Sequence, residues 1–99
     1  MNESEKMAFD YSLEIAGEVK ESIENDEIDN LLDLILDVQY ILDSRKRLLG
    51  VRLLRTCGGP TCWIDTVKGQ VETSWGFSGV QSEPIPRDVC EILTSYFDF

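Results

Sequence analysis

The 99-residue chain contains no histidine, only two basic residues among its first 44 positions, and no continuous apolar run of 18 residues. Without histidine it lacks both the most common general base and the most common metal ligand. The lack of a long apolar run argues against a membrane-spanning helix. Residues Met1–Lys6 also lack the basic and apolar regions of a signal peptide, so we expect a cytoplasmic protein.

Cysteine is also scarce, and its three positions, Cys57, Cys62 and Cys90, form an odd set. In a reducing cytoplasm three thiols are more consistent with free side chains than with disulfides. A structural zinc site takes four ligands, whereas this chain offers at most three sulfurs and no imidazole. We therefore expect no metal and no cofactor. Cys90 lies on an apolar helical face, which predicts a place in the core.

Length and apolar content predict a single domain over residues 1–99, because 42% apolar residues suffice for one core. The first 44 residues are predicted to form an acidic helical hairpin. Its first helix runs from about Ser4 to Asn25, with an apolar residue every four positions. Its second helix runs from about Glu27 to Ser44 and is richer in large apolar residues. The short connection predicts antiparallel helices.

Residues 45–99 are predicted to form a three-stranded antiparallel meander and a C-terminal helix. Residues alternate between apolar and other types after Leu49, and two further strands flank Lys68-Gly69. Gly58-Gly59-Pro60 predicts a tight turn. Residues 76–86 predict a loop with room for a short edge strand, and Arg87–Phe97 has helical spacing. The predicted fold is therefore α+β, in the order α-α-β-β-β-α.

Charge is distributed unequally along the chain. Thirteen of the nineteen acidic residues lie in the first 44 positions, so this segment has a formal charge of −11, while the other 55 residues sum to +1. Such an acidic protein is repelled by nucleic acid and by anionic membranes, and it is attracted by basic protein surfaces or cations. The alternative is that the acidity serves only solubility.

Carboxylates repeat at four-residue spacing along both predicted helices. Like charges at this spacing cost an isolated helix roughly 0.2–0.5 kcal/mol per pair, and the sequence accepts that cost repeatedly. Four helical residues rise about 6 Å, a step comparable in scale to the phosphate spacing of nucleic acid. We therefore predict a nucleic-acid-like surface that binds a basic protein and does not bind nucleic acid directly. Its residues are Asp10, Glu14, Glu18 and Glu21 on the first helix and Asp29, Asp33 and Asp37 on the second.

Three other patterns admit functional interpretations that the sequence favours less. Residues 25–30 lack the glycine and the distal glutamate of a calcium-binding loop. The basic cluster at residues 45–47 follows the second predicted helix, where cations stabilise the helix dipole, so nucleic-acid binding is not required to explain it. Cys57 has no histidine to activate it as a nucleophile, so the adjacent glycines indicate a turn rather than a catalytic site.

Trp63 and Trp75 fall on adjacent predicted strands. Large aromatic residues in such positions usually pair across the sheet and pack against a helix. An exposed tryptophan would instead be a candidate anchor of a secondary interface. A homodimer through an exposed apolar helix face also stays open.

The segment Leu53–Asp65 reads LLRTCGGPTCWID and is followed by Trp75 and by a final helix with an aromatic end. This pattern in the C-terminal half resembles small proteins of phages and other mobile elements, which combine a leucine-rich strand, a Gly-Gly-Pro turn, an isoleucine-containing strand and a tryptophan. In size, acidity and lack of catalytic residues, the chain is also similar to phage-encoded anti-CRISPR proteins.

The second resemblance implies a non-enzymatic inhibitor in the host-cell cytoplasm. Its acidic residues would occupy the positively charged nucleic-acid-binding surface of a CRISPR effector complex. The alternative is an interaction or regulatory module of a mobile element, which would act through the Gly-Gly-Pro turn and Trp63 while the acidic helices serve as a scaffold.

Overall fold

The structure is a computed structural model that describes residues 1–98, and it consists of a five-stranded antiparallel sheet with helices packed against one face. The strands follow one another in the sheet in the order β1-β2-β3-β4-β5, so the sheet is a simple meander. The elements are α1 (Glu3–Glu24), α2 (Ile28–Asp33), β1 (Asp37–Leu42), β2 (Leu48–Thr56), β3 (Thr61–Asp65), β4 (Gln70–Ser74), β5 (Val80–Pro84) and α3 (Arg87–Ser95).

The α+β class and the final helix are confirmed, but the prediction of three strands is wrong. The segment around Val80 is a full strand, β5, which pairs with β4 along its length. The larger difference is β1, which pairs with β2 from Asp37↔Leu54 to Leu42↔Leu48 and adds a strand before the predicted meander.

The predicted second helix, Glu27–Ser44, is therefore wrong, and so is the hairpin of two long helices. Helix α2 ends at Asp33 after six residues. The physical reason lies in Val38, Tyr40 and Ile41, which are β-branched or aromatic and prefer a pleated, half-buried surface. A short apolar run does not distinguish helix from strand by its periodicity alone, and here pairing with β2 decides the outcome.

Helix α1 begins where the sequence predicts, because its first turn is capped. The Asn2 side-chain oxygen accepts a hydrogen bond from the backbone N–H of Glu5 at 2.7 Å, and the Glu5 carboxylate accepts one from the N–H of Asn2 at 3.3 Å. This reciprocal pair satisfies two N–H groups that a helix otherwise leaves without partners. The opposite end stops at Glu24, and Asp26 then adopts a positive φ of 56°.

The core lies between the sheet and the helices, and α1 crosses β4 and β5. Leu53, Ile64 and Val71 occupy facing positions on three neighbouring strands, and all three are fully buried. Strand residues that face each other point to the same side of the sheet, so these three form one apolar row beneath the helices. The helical side of the core is made of Ile15, Ala16, Val19, Leu31, Val89, Cys90 and Leu93.

Hydroxyl groups fix the helices to the sheet at two places inside this core. The Ser12 hydroxyl donates to Thr73 Oγ1 at 2.7 Å, which connects α1 with β4. The Thr94 hydroxyl donates to Thr66 Oγ1 at 2.9 Å, and the same oxygen accepts from the backbone N–H of Val51 at 2.9 Å. Buried polar groups without partners are destabilising, so these bonds set the positions of α1 and α3 as well as satisfying the hydroxyls.

The two predicted reversals are confirmed. Gly58 has a φ of 105° in the turn between β2 and β3, and Gly69 has a φ of 71° between β3 and β4. In the second turn, Asp65 is buried, and its Oδ1 accepts from the N–H groups of Val67 and Lys68 at 3.0 and 2.9 Å. A short aspartate side chain that bonds backbone groups two and three residues ahead stabilises a turn in this way.

Replacement of Gly50 by alanine should lower the free energy of unfolding by about 1–3 kcal/mol, the usual cost of forcing an extra methyl group into a packed interior. A Cβ at Gly50 would lie 2.6 Å from Thr66 Oγ1 and 2.6 Å from Val67 Cγ2. The Thr66 oxygen cannot retreat without losing its bond to Val51. Urea unfolding followed by circular dichroism measures the change.

Gly17→Ala is the matched control. Gly17 lies in the middle of α1, and its added Cβ would meet nothing within 4 Å. Alanine in a helix is more stable than glycine by about 0.5–1 kcal/mol, so this variant should gain stability. Equal losses in both variants would contradict the packing argument.

Candidate binding surface

A groove of about 620 Å³ runs between α1 and α2, and acidic side chains surround it. Glu14, Glu18 and Glu21 come from α1, whereas Glu27 comes from the residue that precedes α2. The apolar lining includes the buried Ile15 and Leu31 and the exposed Leu13 and Leu34. We call this feature the acidic groove; Tyr11, Asn30 and Arg55 also line it.

Glu18 differs from its neighbours because it is neutralised within the protein. Its carboxylate accepts two hydrogen bonds from Arg55 of β2, from Nε at 3.1 Å and from Nη2 at 3.0 Å. These bonds raise the pKa of the Arg55 guanidinium. A two-pronged pair of this kind fixes geometry as well as charge, so Glu18 holds α1 to the sheet and is a weaker candidate for partner contact than Glu14 or Glu21.

The other predicted acidic residues are exposed but lie outside the groove. Asp10 is one helical turn before Glu14 on α1, and Asp29 and Asp33 are on α2. Asp37 is not helical at all: it begins β1, and its carboxylate accepts from the N–H of Val38 at 2.9 Å. The predicted single row of Asp29, Asp33 and Asp37 on one helix is therefore wrong, because the chain leaves the helical path after Asp33.

Sequence reasoning did not single out Glu27 or the two exposed leucines of the groove. Leu13 falls outside the apolar stripe of the first predicted helix. A leucine on the polar side of an amphipathic helix is the sequence signal that could have indicated an exposed apolar contact. Glu27 lies in the connection between the helices, where spacing rules for one helix say nothing about its neighbours. Only the turn at Asp26 brings Glu27 to the groove.

The eight exposed carboxylates of residues 10–33 form what we call the acidic surface. Within the described chain, none of them has a lysine or arginine nitrogen within 4.0 Å. Their charge is therefore compensated only by solvent ions, which leaves it available to a basic partner. The eight residues are Asp10, Glu14, Glu21, Glu24, Asp26, Glu27, Asp29 and Asp33.

The basic cluster of residues 45–47 forms the turn between β1 and β2, and we call it the basic turn. The Asp43 carboxylate accepts from the backbone N–H groups of Arg47 and Arg45 and from Arg47 Nε, at 2.9, 2.8 and 2.8 Å. The bond from the Arg47 N–H is the main reason that the pKa of Asp43 lies below its usual value. The predicted role of this cluster at a helix C-terminus is wrong, since no helix ends there.

The two tryptophans occupy separate environments, so their predicted pairing across the sheet is wrong. Trp63 faces Glu72 in the strand register, and the Arg52 guanidinium lies 4.6 Å from the centre of a Trp63 ring. Trp75 follows β4 and packs edge to face against Tyr11 of α1, with ring centres 6.1 Å apart. Both side chains are half-buried. Neither presents a fully exposed aromatic anchor.

Arg52 connects Trp63 to two carboxylates on the sheet face opposite the helices. Its Nη2 lies 3.3 Å from Glu72 Oε1, and its Nε lies 3.2 Å from Asp65 Oδ2. The Nε–H group is not aligned for a hydrogen bond with Asp65, so the second contact is an ion pair only. Intramolecular contacts thus satisfy most of the charge on this face.

All three cysteines are free. Cys57 is exposed in the turn between β2 and β3, whereas Cys62 and Cys90 are buried in the core. The predicted core position of Cys90 is confirmed. Burial raises the pKa of both buried thiols, which disfavours the reactive thiolate.

Within residues 1–98, no group of three or more cysteine, aspartate or glutamate side chains is arranged to hold a metal ion. None of the helices in this range combines the length and the apolar character needed to cross a membrane. The chain matches no protein-family model, no curated protein and no solved structure. Its function is therefore inferred from its own surfaces.

Alkylation should distinguish Cys57 from the other two cysteines. In the folded protein at neutral pH, iodoacetamide should add one carbamidomethyl group, at Cys57, because burial both shields the other two thiols and raises their pKa. Intact-mass spectrometry should show three additions after unfolding in urea. Modification of Cys62 or Cys90 as fast as Cys57 in the native state would contradict the packing of the core.

Proposed function

We propose that the protein is a non-enzymatic inhibitor that binds, through its acidic groove and acidic surface, to the basic nucleic-acid-binding surface of a host-defence complex. A CRISPR effector complex is the favoured target. The observation that carries the proposal is the set of eight exposed carboxylates without an intramolecular cation, three of which, Glu14, Glu21 and Glu27, line a groove together with exposed leucines.

Electrostatics supports a basic partner. Unpaired carboxylates on one side of a small protein produce a negative potential that accelerates encounter with a positive surface and repels nucleic acid. Solubility alone requires only a modest net charge with both signs interspersed, whereas this segment accepts repulsion between helical neighbours such as Asp10 and Glu14. A basic partner would relieve that repulsion on binding.

The composition of the groove supports lysine or arginine side chains as its occupants. These residues have an aliphatic stem and a charged end, and they commonly bury the stem while the charge stays at a polar rim. Leu13 and Leu34 offer aliphatic contact to such a stem. Glu14, Glu21 and Glu27 offer acceptors to its charged end. A guanidinium bound by carboxylates forms short, charge-assisted hydrogen bonds.

In the proposed mechanism, the protein inhibits its target by occupying the target's nucleic-acid-binding surface. Nucleic-acid-binding surfaces carry lysines and arginines that neutralise phosphates, and the clustered carboxylates of the acidic surface compete for the same cations. While the acidic surface occupies them, DNA or RNA is excluded by both volume and charge. This mechanism requires no covalent step, no metal and no activated thiol.

The alternative, a module that acts through the Gly-Gly-Pro turn and Trp63, has less support. The Trp63 ring is half-buried and one of its faces is covered by Arg52. An aromatic residue already stacked on a cation has less surface to offer a partner.

Reversal of the groove charges should abolish binding. The variant Glu14→Lys/Glu21→Lys/Glu27→Lys should raise the dissociation constant by roughly a hundredfold or more, because three favourable contacts become repulsive. Gel-shift competition between the protein and DNA for purified CRISPR effector complexes measures the effect. Because all three side chains are exposed, circular dichroism should show the same fold.

The matched control is Asp88→Lys/Glu91→Lys/Asp98→Lys, which makes the same change in net charge at exposed positions near the C-terminus. It should retain most of the inhibition. Equal loss in both variants would show that net charge alone matters, and a larger loss from Trp63→Ala would favour the alternative surface. If no effector complex is inhibited by the native protein, the proposed target class is wrong.

Salt dependence gives an independent measurement. When NaCl is raised from about 50 to about 500 mM, the screening length falls severalfold, so the association rate with the basic partner should decrease steeply while the dissociation rate changes less. Surface plasmon resonance separates the two rates. An association rate that does not depend on salt would argue against electrostatic recognition.

A further inference from the structure

The two edges of the sheet are protected to different degrees. An edge strand exposes unpaired N–H and C=O groups, and proteins usually guard it with proline, lysine, inward-facing charges or a covering element. Strand β5 has several of these protections: it ends at Pro84, Glu83 lies on the same side of the sheet as the core residue Val71, and α1 packs against it.

Strand β1 has almost none of them. It contains no proline and no lysine, and β2 is its only extensive neighbour among the described elements. The one local protection is the Asp37 carboxylate, which accepts the N–H of Val38. Six residues with an open edge provide a template of about 20 Å for another strand.

The helix layer also leaves the β1 end of the sheet uncovered. Val38 faces the core residue Leu53, so Tyr40 and Leu42, which alternate with it along β1, point to the same side, and Leu36 directly precedes the strand. Nevertheless Leu36 is 65% exposed, Tyr40 is 51% exposed and Leu42 is 48% exposed. An apolar strip therefore runs along the same strand that has an unpaired edge.

We infer that a second copy of this chain pairs with β1, edge to edge and antiparallel, so that two five-stranded sheets become one sheet of ten strands. The pairing edge on β1 lies outside the acidic groove between α1 and α2, and the two surfaces share only Asp33, which belongs to the acidic surface and also lies at the acidic end of β1. The occupant is another copy because β1 is complementary to itself in both its apolar residues and its charges.

Symmetry limits the register. An antiparallel pair of identical strands has a two-fold axis perpendicular to the sheet, so residues that face each other must point to the same side. With Gln39 opposite Gln39, Val38 faces Tyr40, and Leu42 of each copy lies near Leu36, the residue that precedes β1 of the other. Each of these contacts occurs twice, so exposed apolar side chains meet along the interface. The next register, with Tyr40 opposite Tyr40, sets Asp37 against Asp43 and is electrostatically unfavourable.

Charges at the two ends of β1 favour the same arrangement. Asp33 and Asp37 precede or begin the strand, whereas the basic turn, with the exposed Arg45 and Lys46, follows it. Antiparallel pairing brings the basic turn of each copy to the acidic end of the other. Asp33 ends α2 and Arg45 lies in the basic turn, so both residues stand just beyond the ends of the paired strands. Opposite charges therefore meet at both ends of the interface.

Sedimentation equilibrium of the full chain, from micromolar to millimolar concentration, tests the inference. We expect a monomer–dimer equilibrium whose dissociation constant rises by roughly tenfold or more in Leu36→Lys/Leu42→Lys, because two apolar contacts become pairs of exposed cations. Both leucines are exposed, so the monomer should keep its circular dichroism spectrum. Val80→Lys is the matched control: Val80 is 66% exposed on the opposite edge, and its replacement should leave the dimer intact.

A charge exchange tests the antiparallel orientation. Asp33→Arg and Arg45→Asp should each weaken the dimer, and the double variant should recover much of the native affinity, since the pair re-forms with its signs reversed. A native chain that stays monomeric throughout overturns the inference and leaves the β1 edge to a strand of another protein. Dissociation by Val80→Lys equal to that by the leucine variant also overturns it, and places the pairing at β5.

Discussion

Burial of one sheet face beneath α1 is the constraint on which the other features depend. A five-stranded sheet has two faces, and this chain has one long helix to cover them. Helix α1 places Ile15, Ala16 and Val19 in the core, above β4 and β5. An amphipathic helix fixed in this way must turn its carboxylates toward solvent, because unpaired charges are too costly to bury. Half of the acidic surface, Asp10, Glu14, Glu21 and Glu24, is therefore the outer face of the helix that closes the core.

The same packing leaves the other end of the sheet uncovered. Helix α3 contacts β2, while β1 receives little beyond the edge-to-face contact between Tyr40 and Phe97, whose ring centres are 6.3 Å apart. The exposed apolar strip of β1 is thus a consequence of having too few helices for the width of the sheet. Acidic groove and open edge lie on different elements, so the molecule has two surfaces that can act independently, one for a basic partner and one for a second copy.

Part of the fold followed from local patterns. The period of the first helix, the alternation from Val51 to Leu53 and the positive-φ glycines at positions 58 and 69 each required only nearby residues, whereas Leu49, expected on the same face as Val51, is exposed at a shift in strand register. Local patterns did not predict the secondary structure of residues 34–42, because the apolar residues of this segment fit either a helix or a strand. The predicted pairing of the two tryptophans is wrong for a related reason. No local pattern specifies strand register, and the register places Trp63 opposite Glu72 and Trp75 beyond the end of β4.

The sequence by itself determined how much negative charge the protein carries, that the charge belongs to its N-terminal part, and that no histidine is present for catalysis. Tertiary structure decided which carboxylates act together. It paired Glu18 with Arg55, brought Glu27 beside Glu14 and Glu21, and removed Asp37 to a strand. The physical reason is that charge is a property of composition, whereas a binding surface is a property of distances, and those distances are set by long-range packing between segments far apart in the chain.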